Sequence, residues 1–399
     1  MVPRIRQVQI QNYKSIERAV VDLGPFTAFV GPNGAGKSNF VDALAFVQDC
    51  LSLGLEDASK AHGGSLFFPR WMLGNEVRVG FRFFLDLAGG SKADYAFEIS
   101  GRGYDRLRVV REQCTIQAPG QPDWMFSIAE GEFLHPIPGI RPKMEPDRLA
   151  LFAASATEEL RPVYDFLSAM RIYSIEPFRM TGSEEPGSAE VLKTHGSNAA
   201  AVLRSIEEKS PEIAERISEL LTQAVQGVKV VRTRTRDRQV SLEFLKDSGN
   251  EDPATFYTID MSDGTLRILG LLLALYQPWH PSLVAIEEPE ATVHPAAAEL
   301  VVQVLLDAAQ DRQVLITTHS PDILDAKELS DDQIRVVTME QSRTIIAPLS
   351  KASRKAIRER LYTPGELLRI DELNQDFEAA RETARNLDLF GGTPTPAYS

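Results

Sequence analysis

Apolar and polar residues alternate with period two through RIRQVQIQNYKSIERAVVDLGPFTAFVG, predicting two or three strands that run up to residue 30. The same alternation in EVRVGFRFFLDL, ADYAFEIS and RLRVVREQCTIQ predicts an antiparallel sheet. Residues 39–54 place apolar side chains at helical spacing. GLEDASKAHGGSLFFPRWMLGN reads as irregular, and residues 118–147, rich in Pro and Gly, read as loop. From about 148 to 226 the pattern turns helical, with Ser210, Pro211 and Glu212 as a start signal for SPEIAERISELLTQAV. Strands return in VKVVRTRTRDRQVSLEFL. A helix near 264–276, the strand SLVAIEE, a helix over 295–309 and the strand QVLITTHS follow. Strand, helix and strand in alternation predict a parallel-sheet α/β core.

Bulk properties narrow the setting. The chain has 399 residues, beyond the roughly 250–300 at which a single core stops growing. One large domain with an inserted lobe is therefore expected. Hydrophobic content of 43% and charged content of 25% are those of an ordinary globular protein. The longest apolar run, ILGLLLALY, is far short of the roughly 20 residues that cross a bilayer. The N-terminus lacks the apolar stretch of a signal peptide. Two cysteines, Cys50 and Cys114, leave no disulfide framework and no Cys-based zinc site, so a cytoplasmic protein is expected. The net charge of −13 confines any nucleic-acid contact to local patches.

FVGPNGAGKSNFVDAL carries the first chemistry. Gly31, Gly34, Gly36, Lys37 and Ser38 match G-x-x-x-x-G-K-[ST], and Pro32, Asn33 and Ala35 fill the loop before Asn39. The glycines let backbone N–H groups turn in around phosphates, and Lys37 brings a positive charge to the β- and γ-phosphates. Ser38 is placed to ligate Mg²⁺. An apolar strand before the loop and a helix after it complete an anion-ready terminus. Downstream, Glu287 and Glu288 end an apolar strand at the carboxyl edge, where α/β sheets bind ligands. One acid can hold Mg²⁺ while its neighbour polarises a water. His319 ends a second apolar strand, within reach of a γ-phosphate. Ser262, Asp263 and Gly264 open an apolar helix.

These four pieces, in this order, resemble the ABC-type ATPase heads of the RecF/SMC-like group. They are most like the single-chain bacterial and archaeal AAA-family ATPases related to RecF and to overcoming-lysogenization-defect proteins. The resemblance covers most of residues 1–350. It implies a P-loop NTPase of α/β class: an ABC-type head with an antiparallel β subdomain and an inserted helical lobe. The first part of the head then spans 1–147 and the lobe 148–226. The second part, with signature, Walker B and switch histidine, spans 227–350, and a C-terminal helix and tail span 351–399. By the resemblance Gly31 to Ser38 are Walker A, binding ATP; Glu287 binds Mg²⁺; Glu288 and His319 are catalytic with Lys37. SDGTLR, with Ser262, Asp263 and Gly264, contacts the γ-phosphate of a second subunit, and PEATVHP with His294 crosses the dimer interface. IQNYKSIERAVVDL looks like that group's opening strand pair, which brings Lys14 and Ser15 to the nucleotide. The chain departs from the pattern with Glu287 where an Asp is usual and Asp263 where transporters carry a second glycine. Neither Gln113 nor Gln117 stands out as the Q-loop residue.

The resemblance implies an ATP-gated homodimeric switch in DNA repair or antiviral defence, working with DNA or with a separately encoded effector protein. The sequence holds no long heptad run, and the residues after His319 leave no room for a nuclease fold, so ATP hydrolysis is the only chemistry expected. A slow-turnover nucleotide-dependent scaffold and, less favoured, a transporter ATPase subunit are the alternatives. Two basic patches are candidates for a partner. Arg232, Arg234, Arg236 and Arg238 recur every second residue, which predicts one strand face for nucleic acid. Lys351, Arg354, Lys355 and Arg358 fall on one helix face.

Overall fold

A computed structural model describes residues 2–64, 77–101, 107–137, 139–140, 142–182, 190–247, 249 and 252–391. Residues 65–75 of the stretch expected to be irregular, Glu76 at the start of the strand expected after it, and the final residues GTPTPAYS lie outside the described residues.

Three sheets form among these residues. The central one has six strands in the order β16-β15-β3-β14-β13-β9: β3 (Phe26–Val30), β9 (Arg171–Tyr173), β13 (Leu283–Glu287), β14 (Gln313–Thr318), β15 (Ile334–Glu340) and β16 (Arg343–Pro348). All its pairings are parallel except β15 with β16. Every residue of β3 is buried, as a parallel strand covered on both faces requires. Phe29, Leu283, Ala285 and Leu315 enter the same cluster as α1 (Lys37–Ser52), while Phe26, Ala28, Val30, Val284, Ile286 and Val314 enter the other. Each such large side chain contributes roughly 1.5–3 kcal/mol on burial.

The second sheet is antiparallel, in the order β2-β1-β4-β5-β6-β7-β8: β1 (Arg4–Tyr13), β2 (Ile16–Asp22), β4 (Val77–Asp86), β5 (Lys92–Gly101), β6 (Arg108–Gln117), β7 (Trp124–Ala129) and β8 (Glu132–His135). It closes over the α1 side of the central sheet, sharing its core cluster. A third sheet, β10 (Val228–Arg236), β11 (Gln239–Lys246) and β12 (Ala254–Tyr257), covers the other cluster. That cluster also packs α5 (Ala199–Lys209), α6 (Pro211–Ala224), α7 (Asp263–Tyr276) and α8 (Pro295–Ala308). The short helices are α2 (Leu55–Ala61), α3 (Ala150–Ala154), α4 (Arg161–Ser168) and α9 (Pro321–Leu324). After β16 come α10 (Lys351–Arg358), α11 (Pro364–Arg369) and α12 (Phe377–Arg385).

Five local expectations are corrected. Residues 118–147 are not all loop: β7 buries Phe126 and Ile128, and Glu130 and Gly131, both at positive φ, turn the chain into β8. Residues 55–61 are helical, because Leu55 and Ala58 find the core once Gly54 turns the chain at φ 92°. The span 148–226 is interrupted by β9, three residues that pair in parallel with β13. Ser210 holds the cap position of α6, but its hydroxyl makes no capping bond. Beyond residue 350 the described residues form three helices where a C-terminal helix and tail were expected. Thr363 and Glu366 form a reciprocal capping box at α11, and Asp376 caps α12 through the Ala379 N–H (3.1 Å).

Candidate nucleotide site

The phosphate loop joins β3 to α1, and two of its glycines are sterically required. Gly36 sits at φ 100°, and a Cβ there would fall 1.9 Å from the Thr344 hydroxyl oxygen. A Cβ on Gly31 would fall 2.0 Å from the carbonyl oxygen of Val337 on β15. Lys37, the first residue of α1, is 5% exposed; its Nζ donates to the carbonyls of Gly31 (2.8 Å) and Pro32 (3.1 Å). Burial pulls its ammonium below the ordinary lysine value, and the carboxylates of Glu288, Glu290 and Glu287 oppose that shift. Ser38 follows, exposed, while Pro32, Asn33 and Gly34 form the open rim.

Lys14 and Ser15 make the two-residue turn between β1 and β2 and lie against this loop. Ser15 Oγ accepts from Asn39 Nδ2 (2.5 Å) and pairs with Thr344 Oγ1 (2.6 Å), which reaches the Ala35 carbonyl (3.0 Å). The Lys14 ammonium lies 2.5 Å from Asp42 on α1.

The acids arrive from β13. Glu287 Oε1 is buried without a partner. Glu288 takes positive φ (44°), donates its N–H to the Thr317 carbonyl (2.9 Å), and places Oε1 3.3 Å from His319 Nδ1. A third acid, one that the sequence pattern did not single out, joins them. Glu290 Oε1 accepts from the Thr318 hydroxyl and from the His319 N–H (3.4 Å), and its Oε2 is buried without a partner. Burial pushes its carboxyl above the ordinary value. The signal was present as the last acid in EEPE, but its partners come from β14 and the residue after it.

Ser262 caps α7, accepting from the Thr265 N–H (3.3 Å). A Cβ on Gly264 would fall 2.5 Å from the Thr292 carbonyl, so the start of α7 rests on the loop that follows Glu288. Asp263 and the half-buried Arg267 flank it. Burial lowers the Arg267 value, opposed by Glu288, Asp263, Glu290 and Glu176, and its Nε has no partner. His294 caps α8 through Nδ1 and the Ala296 N–H (3.2 Å). Among the described residues no hydrogen bond or ion pair joins Ser262 or Asp263 to the phosphate loop. Gln113 and Gln117 lie on β6, with Gln117 bonded to Asp123 (2.9 Å).

The four-arginine face is corrected. β10 ends at Arg236; Asp237 and Arg238, at φ 50° and 64°, form the hairpin turn, so Arg238 leaves the strand face. Arg232 and Arg234 both bind Glu243 (3.1 and 2.9 Å), which is 2% exposed. The single carboxylate offsets one of the two positive charges. On α10, Arg358 pairs with Asp331 (2.9 Å) and Lys355 approaches Glu359 (3.8 Å), leaving Lys351 and Arg354 on that face.

The residues present fit a nucleoside triphosphate with a divalent ion. The loop is a cradle that a Cβ at Gly31 or Gly36 would displace, and Glu287 offers an unmatched buried oxygen beside Lys37. No helix among the described residues is long and apolar enough to cross a membrane.

Comparison with known proteins bears on the family and the fold. A family described as "AAA domain, putative AbiEii toxin, Type IV TA system" matches residues 26–325. The "Old nuclease" of Escherichia phage P2 is 24% identical over 358 residues, covering 83% of this chain and 59% of that protein. The "DNA replication and repair protein RecF" of Phocaeicola vulgatus is 32% identical over 66 residues, 16% of this chain and 18% of that one. This chain thus spans less than two thirds of the length of either relative. An Smc head domain with an extended coiled coil, bound to the C-terminal domain of ScpA and derived from Pyrococcus furiosus, aligns with a TM-score of 0.55 at 15% identity. That alignment covers 90% of this chain and all of the other, and shows a shared fold.

Proposed function

The chain belongs to the AAA-domain family matched over residues 26–325, a RecF- and SMC-like ABC-type ATPase group, and from that premise we propose that it binds and hydrolyses ATP as an ATP-gated homodimeric switch. The observation that carries the proposal is the meeting of Glu288 and His319 at 3.3 Å, on the sheet edge whose carboxylates act on the buried Lys37.

The triphosphate lies along Gly31 to Ser38, its oxygens taking N–H bonds from the loop and the start of α1. Lys37 exchanges its two carbonyl partners for phosphate oxygens. Ser38 and Glu287 would hold Mg²⁺, which supplies charge neutralisation between the phosphates. Glu288 takes the proton from the attacking water, and His319 fixes the orientation of its carboxylate. Glu290 anchors the backbone of His319 and so sets where that ring points. Ser262 with the start of α7 serves the nucleotide of a second copy. DNA repair or antiviral defence, with nucleic acid or a separately encoded effector as partner, is supported by relatives named as a nuclease and a replication and repair protein. A slow-turnover scaffold is favoured by one observation: Lys37 is already satisfied by two loop carbonyls that ATP must displace.

Mixing tests the switch. Ser262→Arg and Lys37→Ala chains should each be inactive, and their mixture should regain turnover through heterodimers with one intact composite site. A mixture that stays inactive, or turnover in a strictly monomeric parent, refutes the shared site.

A further inference from the structure

Behind the phosphate loop, α1 carries Asp42, Phe46 and Asp49 at a spacing of four and three, which puts them on one stripe. His62, just beyond α2, lays its ring against that stripe. Nδ1 is 2.8 Å from Asp42 Oδ1, Nε2 is 2.8 Å from Asp49 Oδ2, and the ring meets Phe46 edge-on at 5.6 Å. Asp42 turns its other oxygen to β1 and the turn that follows, where Tyr13 Oη and Lys14 Nζ each approach it to 2.5 Å. From Lys14 the network passes to Ser15, to Asn39 and Thr344, and so to the Ala35 carbonyl of the phosphate loop.

Two facts give this cluster a direction. A carboxylate only accepts hydrogen bonds, so a ring placed between two carboxylates is satisfied at both nitrogens only when both carry protons. Lys14 is a non-glycine residue at φ 48°, a conformation that persists when neighbouring contacts hold it. Asp42 and Ser15 supply those contacts.

We propose that His62, clamped between Asp42 and Asp49, is a positioning residue for ATP: it fixes the Asp42 carboxylate, and through it the Lys14 and Ser15 turn, against the phosphate loop. The proposal rests on the reading of that loop as an ATP site. The groups facing the ring are Asp42 and Asp49 from α1, with Tyr13 and Lys14 beyond Asp42. Burial works against the charged ring, but the bonds and charges of the two aspartates outweigh it and raise its value to about 9. A histidine whose folded value is raised keeps its contribution in full below the ordinary value of 6.5 and loses it as pH rises through about 9. The last phosphate proton of ATP is gone well below that range.

The test is equilibrium ATP binding with Mg²⁺, and steady-state turnover, on the full chain from pH 7 to 10. His62→Gln should raise Kd and KM about tenfold at pH 7.5 and leave kcat within about threefold, a loss of binding rather than of chemistry. The parent's Kd should climb through about pH 9 toward the variant's value, a step the variant lacks; any pH dependence that Lys37 brings is common to both, so the difference between the two curves reports the ring. Asp49→Asn keeps an acceptor for the ring and an intact fold, and should lower the pH of the parent's step. Parent-like affinity and an unchanged pH step in both variants overturn the proposal. If Lys37→Ala loses ATP while the His62 variant does not, the ATP site stands and only the clamp falls. If parent and Lys37→Ala bind ATP alike, the site reading fails and the clamp's role with it.

Discussion

Glu288→Gln separates chemistry from architecture more cleanly than any other change at this site. The substitution keeps the shape of the side chain and leaves the backbone at φ 44° with its N–H on the Thr317 carbonyl. It removes one negative charge and the basic lone pairs of that side chain. A general base contributes about 10²–10⁴-fold, which is roughly 2.7–5.5 kcal/mol of barrier. The cost to the fold is much smaller. Glu288 and His319 side chains are 37% and 45% exposed, and a pair in that setting contributes about 0–1 kcal/mol at most. The charge change also favours the ligand, since Glu288 would no longer face a γ-phosphate with like charge. Phosphate release at saturating ATP should therefore fall at least a hundredfold, while ATP affinity is kept or improved and the thermal midpoint shifts by only a few degrees. With ATP the variant should elute as a dimer. Turnover within threefold of the parent would remove Glu288 from the mechanism, and a collapse of ATP binding would mean its carboxylate is structural.

Gly31→Ala would drive a methyl to within 2.0 Å of the Val337 carbonyl, a backbone atom that cannot swing aside; ATP binding should be lost with roughly 1–3 kcal/mol of stability, read by nucleotide titration and a denaturant midpoint. Parent-like binding would show that the loop can be displaced from β15 without cost. For nucleic acid, the hairpin end is the part that stands furthest into solvent, with Arg236 84% exposed and 3.7 Å from Asp237: Arg236→Glu with Arg238→Glu should abolish weak, salt-sensitive DNA binding in ATP, and each phosphate no longer neutralised should lower the log K against log salt slope by about 0.9. Equal affinity of parent and double variant at low salt would leave the hairpin an ordinary solvated turn.

What the sequence disclosed follows the range of the forces involved. The phosphate loop is legible because its glycines answer to local sterics, and FTAFV, LVAIE and QVLITT are legible because a strand covered on both faces must be apolar throughout. β7 and β8 were hidden, since Phe126 and Ile128 alternate only briefly inside a Pro- and Gly-rich stretch and become a hairpin by pairing with β6. β9 is three residues long and has no signal of its own; β13 makes it a strand. The arginine register failed at one residue, because Asp237 and Arg238 form a turn without the usual glycine. Glu290 and His62 failed for a different reason. Their partners lie at Thr318 and on α1, and no spacing in the chain announces a contact made by folding.

The electrostatics of the site give an independent reason to expect a second copy. Three carboxylates, Glu287, Glu288 and Glu290, act on Lys37, and a triphosphate would add several more negative charges. The nearby cations lie close to carboxylates of this same chain. Lys14 lies on Asp42, and Arg267 sits half-buried in the field of Glu288, Asp263, Glu290 and Glu176. A divalent ion offsets part of the excess, and helix α1 offers its positive end. In the proposed dimer the remainder would be met by donors from a second copy. Ser262 and the N–H groups at the start of α7 are such donors, rigidly backed by the Gly264 contact with Thr292. Because that contact joins α7 to the loop after Glu288, a phosphate drawn against α7 by one copy would press on the acids of the same chain. Binding at one site and base placement at the other would then be mechanically linked, which makes closure around two nucleotides a cooperative event rather than two independent ones.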